Sequence, residues 1–399
     1  MPRLVFAADS HLNKRYARMS PDQLGIRRGY LRSALQQTLD YAISADADLY
    51  VHGGDLFDSP NPRSSELTWT AEQLQRLRDA GVHVLLIGGN HDVPKTRHHG
   101  AAPQALFEAV RLAHVFDDAG GVEWRTFDLG GTRLAVGGLP PDHRLGADDE
   151  PLDALADLAV IPEADLTLLV THYAVEGLLP PSPSEATIRR EALGKLSGRV
   201  DIVLAGHLHE GHDFDVGGVR VVFPGPTERL TFGELDARPG FVVLDIEGRR
   251  PCRVGVKHVR VEPQPMVRES VAAASLPPAD PTGHLLSLVQ RMSRSDQITQ
   301  LRLHGRLRRE TYQALRFLDV WQLGNDLNFY FDLDRHGLTV EAPEAATVGA
   351  AHERISPRSE IARVAESMSA AAGDGAERAV IEEAKDLALE RYGAGAIGE

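Results

Sequence analysis

Five short polar motifs stand in a fixed order along this chain, each after an apolar, strand-like run. They are Asp9-Ser10-His11, Gly53-Gly54-Asp55-Leu56-Phe57-Asp58, Gly89-Asn90-His91-Asp92, Thr171-His172 and Gly206-His207-Leu208-His209. The pattern calls for an α/β fold whose loops follow strand ends, because ligands of open α/β sheets bind beyond the carboxyl ends of the strands. The motifs supply carboxylates, imidazoles and one amide oxygen, the donor set of a two-cation hydrolytic site, with one histidine left over to handle a proton. Singly each is weak. Asp-x-His can be a turn with a surface histidine, Gly-Asp and Gly-Asn are common turn pairs, and His207 and His209 alternate as in any strand. Their conjunction points to a metal site.

Strand and helix signals alternate up to about residue 260. Strands are expected at Leu4–Ala7, Leu49–Val51, Val82–Ile87, Leu166–Val170 and Ile202–Ala205, and hairpins around Gly130-Gly131 and Gly217-Gly218. Leu31–Ile43 and Ser64–Ala80 carry apolar residues at helical spacing. This reads as a two-sheet βαβ core. The register changes at Glu262-Pro263-Gln264-Pro265, so the expected divisions are 1–262 for the core and 263–342 for a smaller α+β domain. A linker, 343–358, and a helical segment, 359–399, follow. Within the second domain, Ile298–Leu303 and Asp326–Leu333 read as strands and Arg309–Phe317 as a helix. Ser359–Ala371 and Ala376–Tyr392 read as a C-terminal helical pair.

A balanced assignment gives one metal to Asp9, His11, Asp55 and His209, and the second to Asp55, Asn90, His172 and His207. Nitrogen and oxygen donors without thiolate suit Mn²⁺, Fe²⁺ or Zn²⁺. Water activated between two such ions would attack phosphorus. His91 is then free to donate a proton or hydrogen bond to the leaving oxygen. Asp58 is placed to hold His91 in its tautomer and keep it cationic, with Asp92 a weaker candidate for that task.

At these residues the chain resembles the calcineurin-like metallophosphoesterases, whose signatures are Asp-x-His, Gly-Asp-x-x-Asp, Gly-Asn-His-Asp, a lone His and Gly-His-x-His. Within that superfamily it is most similar to the SbcD-like DNA repair exonucleases, relatives of the double-strand-break repair nuclease. The cues are Gly54-Asp55-Leu56-Phe57-Asp58, Phe223-Pro224-Gly225-Pro226-Thr227-Glu228-Arg229 and Phe232-Gly233-Glu234. Pro226 departs from the Pro-Gly-Ser turn usual there. The resemblance implies a metallophosphoesterase core with a cap domain, two Mn²⁺ ions, and DNA exonuclease or endonuclease activity in double-strand-break repair. It also implies an SbcC-type ABC ATPase docked on the C-terminal helices. A homodimer fits the family but is not legible in these residues.

Basic residues give a polymeric substrate some independent support. Lys14, Arg15, Arg18, Arg27 and Arg28 follow the first motif, Lys95 and Arg97 the third, and Arg302 and Arg306 lie in the second domain. A DNA backbone uses many such contacts and a small phosphoester one or two. The alternative is a small-molecule phosphodiesterase or phosphatase on the same core, with these charges as a solvated surface. A net charge of −14 weighs against non-specific nucleic-acid binding by the bulk surface. No phosphate-binding Gly-x-x-x-x-Gly-Lys-[Ser/Thr] loop occurs, so any ATP-driven step belongs to a partner. One cysteine, Cys252, fits a reducing cytoplasm. No apolar run approaches the ~20 residues that span a bilayer, and Asp9 interrupts the first apolar run too early for a signal peptide.

Overall fold

The computed structural model describes residues 1–95, 101–117, 120–155, 160–178, 185–341, 357–371 and 375–394. They divide into two compact units, Met1–Glu341 and Ala342–Glu399.

The first unit begins with twelve strands: β1 (Arg3–Ala7), β2 (Leu49–Gly53), β3 (His83–Ile87), β4 (His114–Phe116), β5 (Glu123–Leu129), β6 (Thr132–Leu139), β7 (Leu166–Thr171), β8 (Ile202–Ala205), β9 (His212–Val216), β10 (Val219–Phe223), β11 (Gly240–Glu247) and β12 (Arg253–Arg260). They form two six-stranded sheets, ordered β12-β11-β1-β2-β3-β4 and β5-β6-β7-β8-β10-β9. β1 to β4 run parallel, as do β6, β7, β8 and β10. The expected hairpins are the antiparallel pairs β5–β6 and β9–β10. Strand alternation sets the layers. Leu4, Phe6, Val51 and Ile87 of the first sheet meet Leu134, Val136, Val170 and Leu204 of the second in a core between the sheets. The alternate residues Val5, Tyr50 and Leu86 pack against α1 (Pro21–Ser44) and α2 (Ser64–Asp79). Ser20 caps α1 by accepting from the Gln23 N–H while the Gln23 side chain accepts from the Ser20 N–H, and Pro21 opens the helix. The short helices α3 (Ala105–Ala109) and α4 (Arg190–Lys195) complete the outer layers, α4 packing Leu193 onto the second sheet.

A three-stranded parallel sheet follows: β13 (Met266–Ala272), β14 (Ile298–Leu307) and β15 (Tyr330–Val340). Its apolar face, Val271, Leu301, Leu303 and Phe331, packs on α5 (Pro281–Met292) and α7 (Phe317–Leu327), and the short α6 (Arg309–Ala314) lies against α5. Two expectations change here. The single helix expected over Arg309–Phe317 is broken at Leu315, because the Thr282 hydroxyl donates to the Ala314 carbonyl and accepts from the Arg316 N–H. Asp326 and Leu327, expected to open a strand, end α7 instead. The Asn328 side chain donates to the Gly324 carbonyl there, and β15 starts only at Tyr330.

The amino ends of β13, β14 and β15 abut the loop before α1. Tyr16, Met19 and Leu24 pack with Met266, Ile298 and Tyr330, and Gln23 Nε2 donates to the Phe329 carbonyl at 2.8 Å. In the second unit, α8 (Pro357–Ala371) and α9 (Gly375–Ala394) pack on one another, leaving Val364, Met368, Val380 and Leu387 exposed. The expected linker lies almost wholly outside the described residues. No helix among the described residues is long and apolar enough to cross a membrane.

Candidate metal centre

The motif side chains sit where the parallel strands of both sheets end. Asp9 and His11 follow β1, Asp55 follows β2, Asn90 and His91 follow β3, His172 follows β7, and His207 and His209 follow β8. The first two loops are zipped together: Asp9 N–H donates to the Gly54 carbonyl at 3.1 Å, His11 N–H to Asp55 at 2.9 Å and Leu12 N–H to Leu56 at 2.9 Å. The sharp turns put Asp9, His11, Asp55 and His207 at φ of 53°, 44°, 51° and 84°. Left-handed backbone at a residue other than glycine costs about 1–3 kcal/mol each and persists only where the surroundings over-determine it. Two motif glycines are steric requirements. A Cβ on Gly54 would sit 2.3 Å from His172 Nδ1, and one on Gly89 would sit 2.1 Å from Asp55 Oδ1.

The side chains converge. Asp9, His11 and His209 offer ligand atoms within 4.8 Å of one another, and so do Asp9, Asp55 and His172. Asp55 Oδ2 lies between the two groups, 3.6 Å from His11 Nε2 and 3.3 Å from His172 Nε2. Asn90 Oδ1 is 3.1 Å from both His172 Nε2 and His207 Nδ1. Three of the four imidazoles are oriented from their far side. His172 Nδ1 lies 2.7 Å from the Gly53 carbonyl, His11 Nδ1 3.2 Å from Asp58 Oδ1, and His209 Nδ1 3.2 Å from Glu234 Oε1. These acceptors favour a proton on Nδ1 and turn Nε2 toward the site. His11 Nε2 and His209 Nε2 meet at 3.2 Å beside the Asp9 and Asp55 carboxylates. Imidazole nitrogens gathered with carboxylate and amide oxygens form a donor set that fits divalent metal.

Electrostatics agree. Burial opposes the proton on His172, yet Asp55 and Asp9 raise its pKa to about 9. Burial would raise Asp55, but His172 and His11 hold it well below the ordinary carboxylate range. Burial pushes Asp9 up to about 7 and His207 down to about 3, and it also lowers His11. Burial opposes the proton on His209, but Glu234 and Asp9 outweigh it and raise the pKa. His11 and His207 are therefore neutral donors at pH 7, while His172 carries a proton that a cation must displace.

Several predicted residues take other places. Asp58 lies within ion-pair reach of His91, its Oδ1 3.8 Å from His91 Nδ1, but its nearer partners are Lys14 Nζ at 2.8 Å and His11 Nδ1 at 3.2 Å. His91 is exposed, its ring edge-on to His11 with centroids 4.8 Å apart, and its N–H donates to Asp55 Oδ1. Asp92 faces inward and accepts from the Gly89 and Phe57 N–H groups and the Gln104 amide, so it shapes the loop. Arg27 cannot reach DNA as expected. It is fully buried, 3.3 Å from the equally buried Glu228, and donates to Gln264 Oε1 and the Arg229 carbonyl. Arg15 is exposed, and Arg28 is half-buried. Arg18 reaches Asp332 at 3.2 Å, Arg302 pairs with Asp334 at 2.7 Å, and Arg306 lies 3.7 Å from Glu341. Ile298 of β14 contacts the core, and Arg306 lies roughly 25 Å further along that strand. Lys95 helps line a cavity of about 260 Å³ beside Asn90, His172 and His207. Arg97 lies outside the described residues. Pro226 is buried in a bridge to Ala8, its carbonyl accepting from the Gly240 N–H.

Sequence reasoning did not assign Glu234, although its Phe-Gly-Glu setting was visible. It also missed a buried chain in which Thr227 donates to Ser10 Oγ, itself 2.9 Å from His52 Nε2.

The calcineurin-like phosphoesterase family pattern matches residues 2–211. The chain is 29% identical over 268 residues to the DNA double-strand break repair protein Mre11 of Haloferax volcanii, covering 66% of this chain and 53% of that protein. Identity to the protein of the same name from Methanosarcina mazei is 27% over 246 residues, covering 62% of this chain and 36% of that one. For the Halobacterium salinarum protein it is 26% over 305 residues, covering 76% and 71%. The chain thus spans about half or less of the first two relatives.

Proposed function

Because the chain belongs to the calcineurin-like phosphoesterase family, we propose that it is a two-metal DNA nuclease, an exonuclease and endonuclease that hydrolyses phosphodiester bonds in DNA end processing and double-strand-break repair. The observation that carries this reading is the ring of Asp9, His11, Asp55, Asn90, His172, His207 and His209 gathered from both sheets, with His91 beside it and uncommitted. Similarity to DNA double-strand break repair proteins supports DNA as substrate.

In this reading Asp9, His11, Asp55 and His209 hold one Mn²⁺, and Asp55, Asn90, His172 and His207 the other. Bound there, the ions supply Lewis-acid charge that neutralises phosphate oxygens and acidifies water. The protein's own groups do the rest. The Gly53 carbonyl and Asp58 fix the rings of His172 and His11, so their Nε2 atoms need no reorganisation on binding. His91, solvent-facing and adjacent to His11, carries a proton to the leaving oxygen. Lys14, pinned by Asp58, and the exposed Arg15, Arg18 and Lys95 hold the DNA backbone near the ring. Residues 1–262 act as the nuclease domain and 263–342 as a cap that also contacts DNA, with 343–358 a linker. The segment 359–399, whose helices expose Val364, Met368, Val380 and Leu387, docks on an SbcC-type ABC ATPase. The chain works in the cytoplasm, and a homodimer fits this reading.

The test is Mn²⁺-dependent cleavage of duplex DNA, single-stranded DNA and bis(p-nitrophenyl) phosphate, with and without a candidate ATPase. Intact DNA beside rapid turnover of the small ester would favour the small-molecule reading. His91→Ala should leave two Mn²⁺ bound while slowing cleavage by about 10²–10⁴-fold, the usual contribution of a positioned acid. Loss of metal from that variant would refute the division of roles.

A further inference from the structure

Phe232–Glu234 is a single 3-10 turn, started by Thr231, whose hydroxyl accepts from the Gly233 N–H at 3.2 Å. Its last residue is locally fixed. Glu234 Oε2 accepts from the Leu230 N–H at 2.6 Å, and Oε1 accepts from the Thr231 hydroxyl at 3.1 Å. The same Oε1 lies 3.2 Å from His209 Nδ1. Two residues earlier the turn meets the β13–β15 sheet: Phe232 packs with Met266 and Ile298, and the Arg268 guanidinium lies 5.7 Å from its ring.

We propose that Glu234 is a positioning residue that fixes the His209 ring for its metal and ties that ligand to the cap sheet. The inference rests on the two-metal reading above and deepens it. The geometry repeats, at the neighbouring ligand, what Asp58 does for His11, where the distance is also 3.2 Å. The two supports differ in charge. Asp58 shares its Oδ1 with Lys14, whereas Glu234 is held by a backbone N–H and a hydroxyl and keeps its charge for His209. A carboxylate in that place fixes the imidazole tautomer and raises its basicity as a ligand, and losing it weakens metal binding by about 10–100-fold. The tie to the cap follows from chain connectivity. A shift of Met266 or Arg268 against Phe232 moves a rigid turn whose far end is the Glu234 carboxylate.

The experiment uses the full chain in two measurements. Without metal, at a pH high enough for the ring to be neutral, long-range ¹H–¹⁵N spectra should show His209 as the Nδ1–H tautomer. Glu234→Ala should lose that signature, and Glu234→Gln, which keeps an acceptor oxygen, should restore it. With Mn²⁺ followed by calorimetry, Glu234→Ala should weaken one of two ions by about 10–100-fold and spare the other, with most of the loss recovered by Glu234→Gln. Phe232→Ala should weaken the same ion severalfold. Equal thermal unfolding in chelator separates these effects from a folding defect. An unchanged His209 tautomer, unchanged Mn²⁺ affinities, or Gln no better than Ala would overturn the proposal, and a silent Phe232→Ala would remove the cap from it. A wild-type chain that shows the tautomer but binds no Mn²⁺ would overturn the two-metal reading, and this inference with it.

Discussion

Replacing Arg27 by methionine isolates a buried ion pair that joins three parts of the first unit. The guanidinium and Glu228 are both fully buried, 3.3 Å apart, and Gln264, just before β13, bonds to both. Methionine fills similar volume but strands the Glu228 carboxylate with only the Gln264 N–H at 2.8 Å and the Arg229 N–H at 2.7 Å. Removing one partner of such a pair costs about 3–5 kcal/mol, because a buried charge is left uncompensated. At about 2 °C per kcal/mol for a body this large, the melting temperature should fall by roughly 6–10 °C. Arg27→Met/Glu228→Gln should cost less than the sum of its single changes, by about 2 kcal/mol, since the double variant buries no charge. Unfolding followed by circular dichroism in chelator measures all four forms of the cycle. Strict additivity, or a loss below about 1 kcal/mol for Arg27→Met, would refute the reasoning. On DNA, the proposed substrate, the salt dependence of binding should be unchanged in Arg27→Met, whereas Arg15→Ala should lower its slope by about one.

Other outcomes follow from the same geometry. Asp55→Asn should weaken both Mn²⁺ ions together, because its Oδ2 faces both His11 and His172; calorimetry showing two full-affinity ions would count against a shared ligand. Asp334 is held down to about 2, first by the His336 N–H and also by Arg302. Its folded pKa is thus depressed, so its stability contribution is present above about pH 4 and lost as pH falls toward 2. Asp334→Asn should flatten the acid-unfolding curve in that window and leave it alone at neutral pH. Truncation after Glu341 should spare Mn²⁺-dependent cleavage while abolishing ATPase binding in a pull-down.

The strand-end motifs were readable because each ends a short apolar run, buried on both faces, with polar residues, and Asp9, Asp55 and Gly54 sit in the left-handed backbone of sharp turns. The two-sheet core was readable for the same reason: Leu4 and Phe6 alternate with Val5 and Ala7 between two different apolar layers. Arg27 was not readable. In a run with Lys14, Arg15, Arg18 and Arg28 it looks like surface, and the partner that buries it, Glu228, lies two hundred and one residues away. Asp58 illustrates a different limit. Spacing brings it close to His91, 3.8 Å away, but it does not reveal the nearer partners, His11 at 3.2 Å and Lys14 at 2.8 Å. The break at Leu315 depends on a hydroxyl from another helix, which no window around Leu315 contains.

The origin of the donor atoms has a mechanical consequence. Asp9, His11, Asp55 and Asn90 come from the first sheet, while His172, His207 and His209 come from the second. An ion held between them is a clasp across the sandwich, closing at its open end what hydrophobic packing closes in the middle. Anything that prises the layers apart by even a fraction of a bond length unfastens it, so metal occupancy becomes a gauge of how firmly the halves are shut.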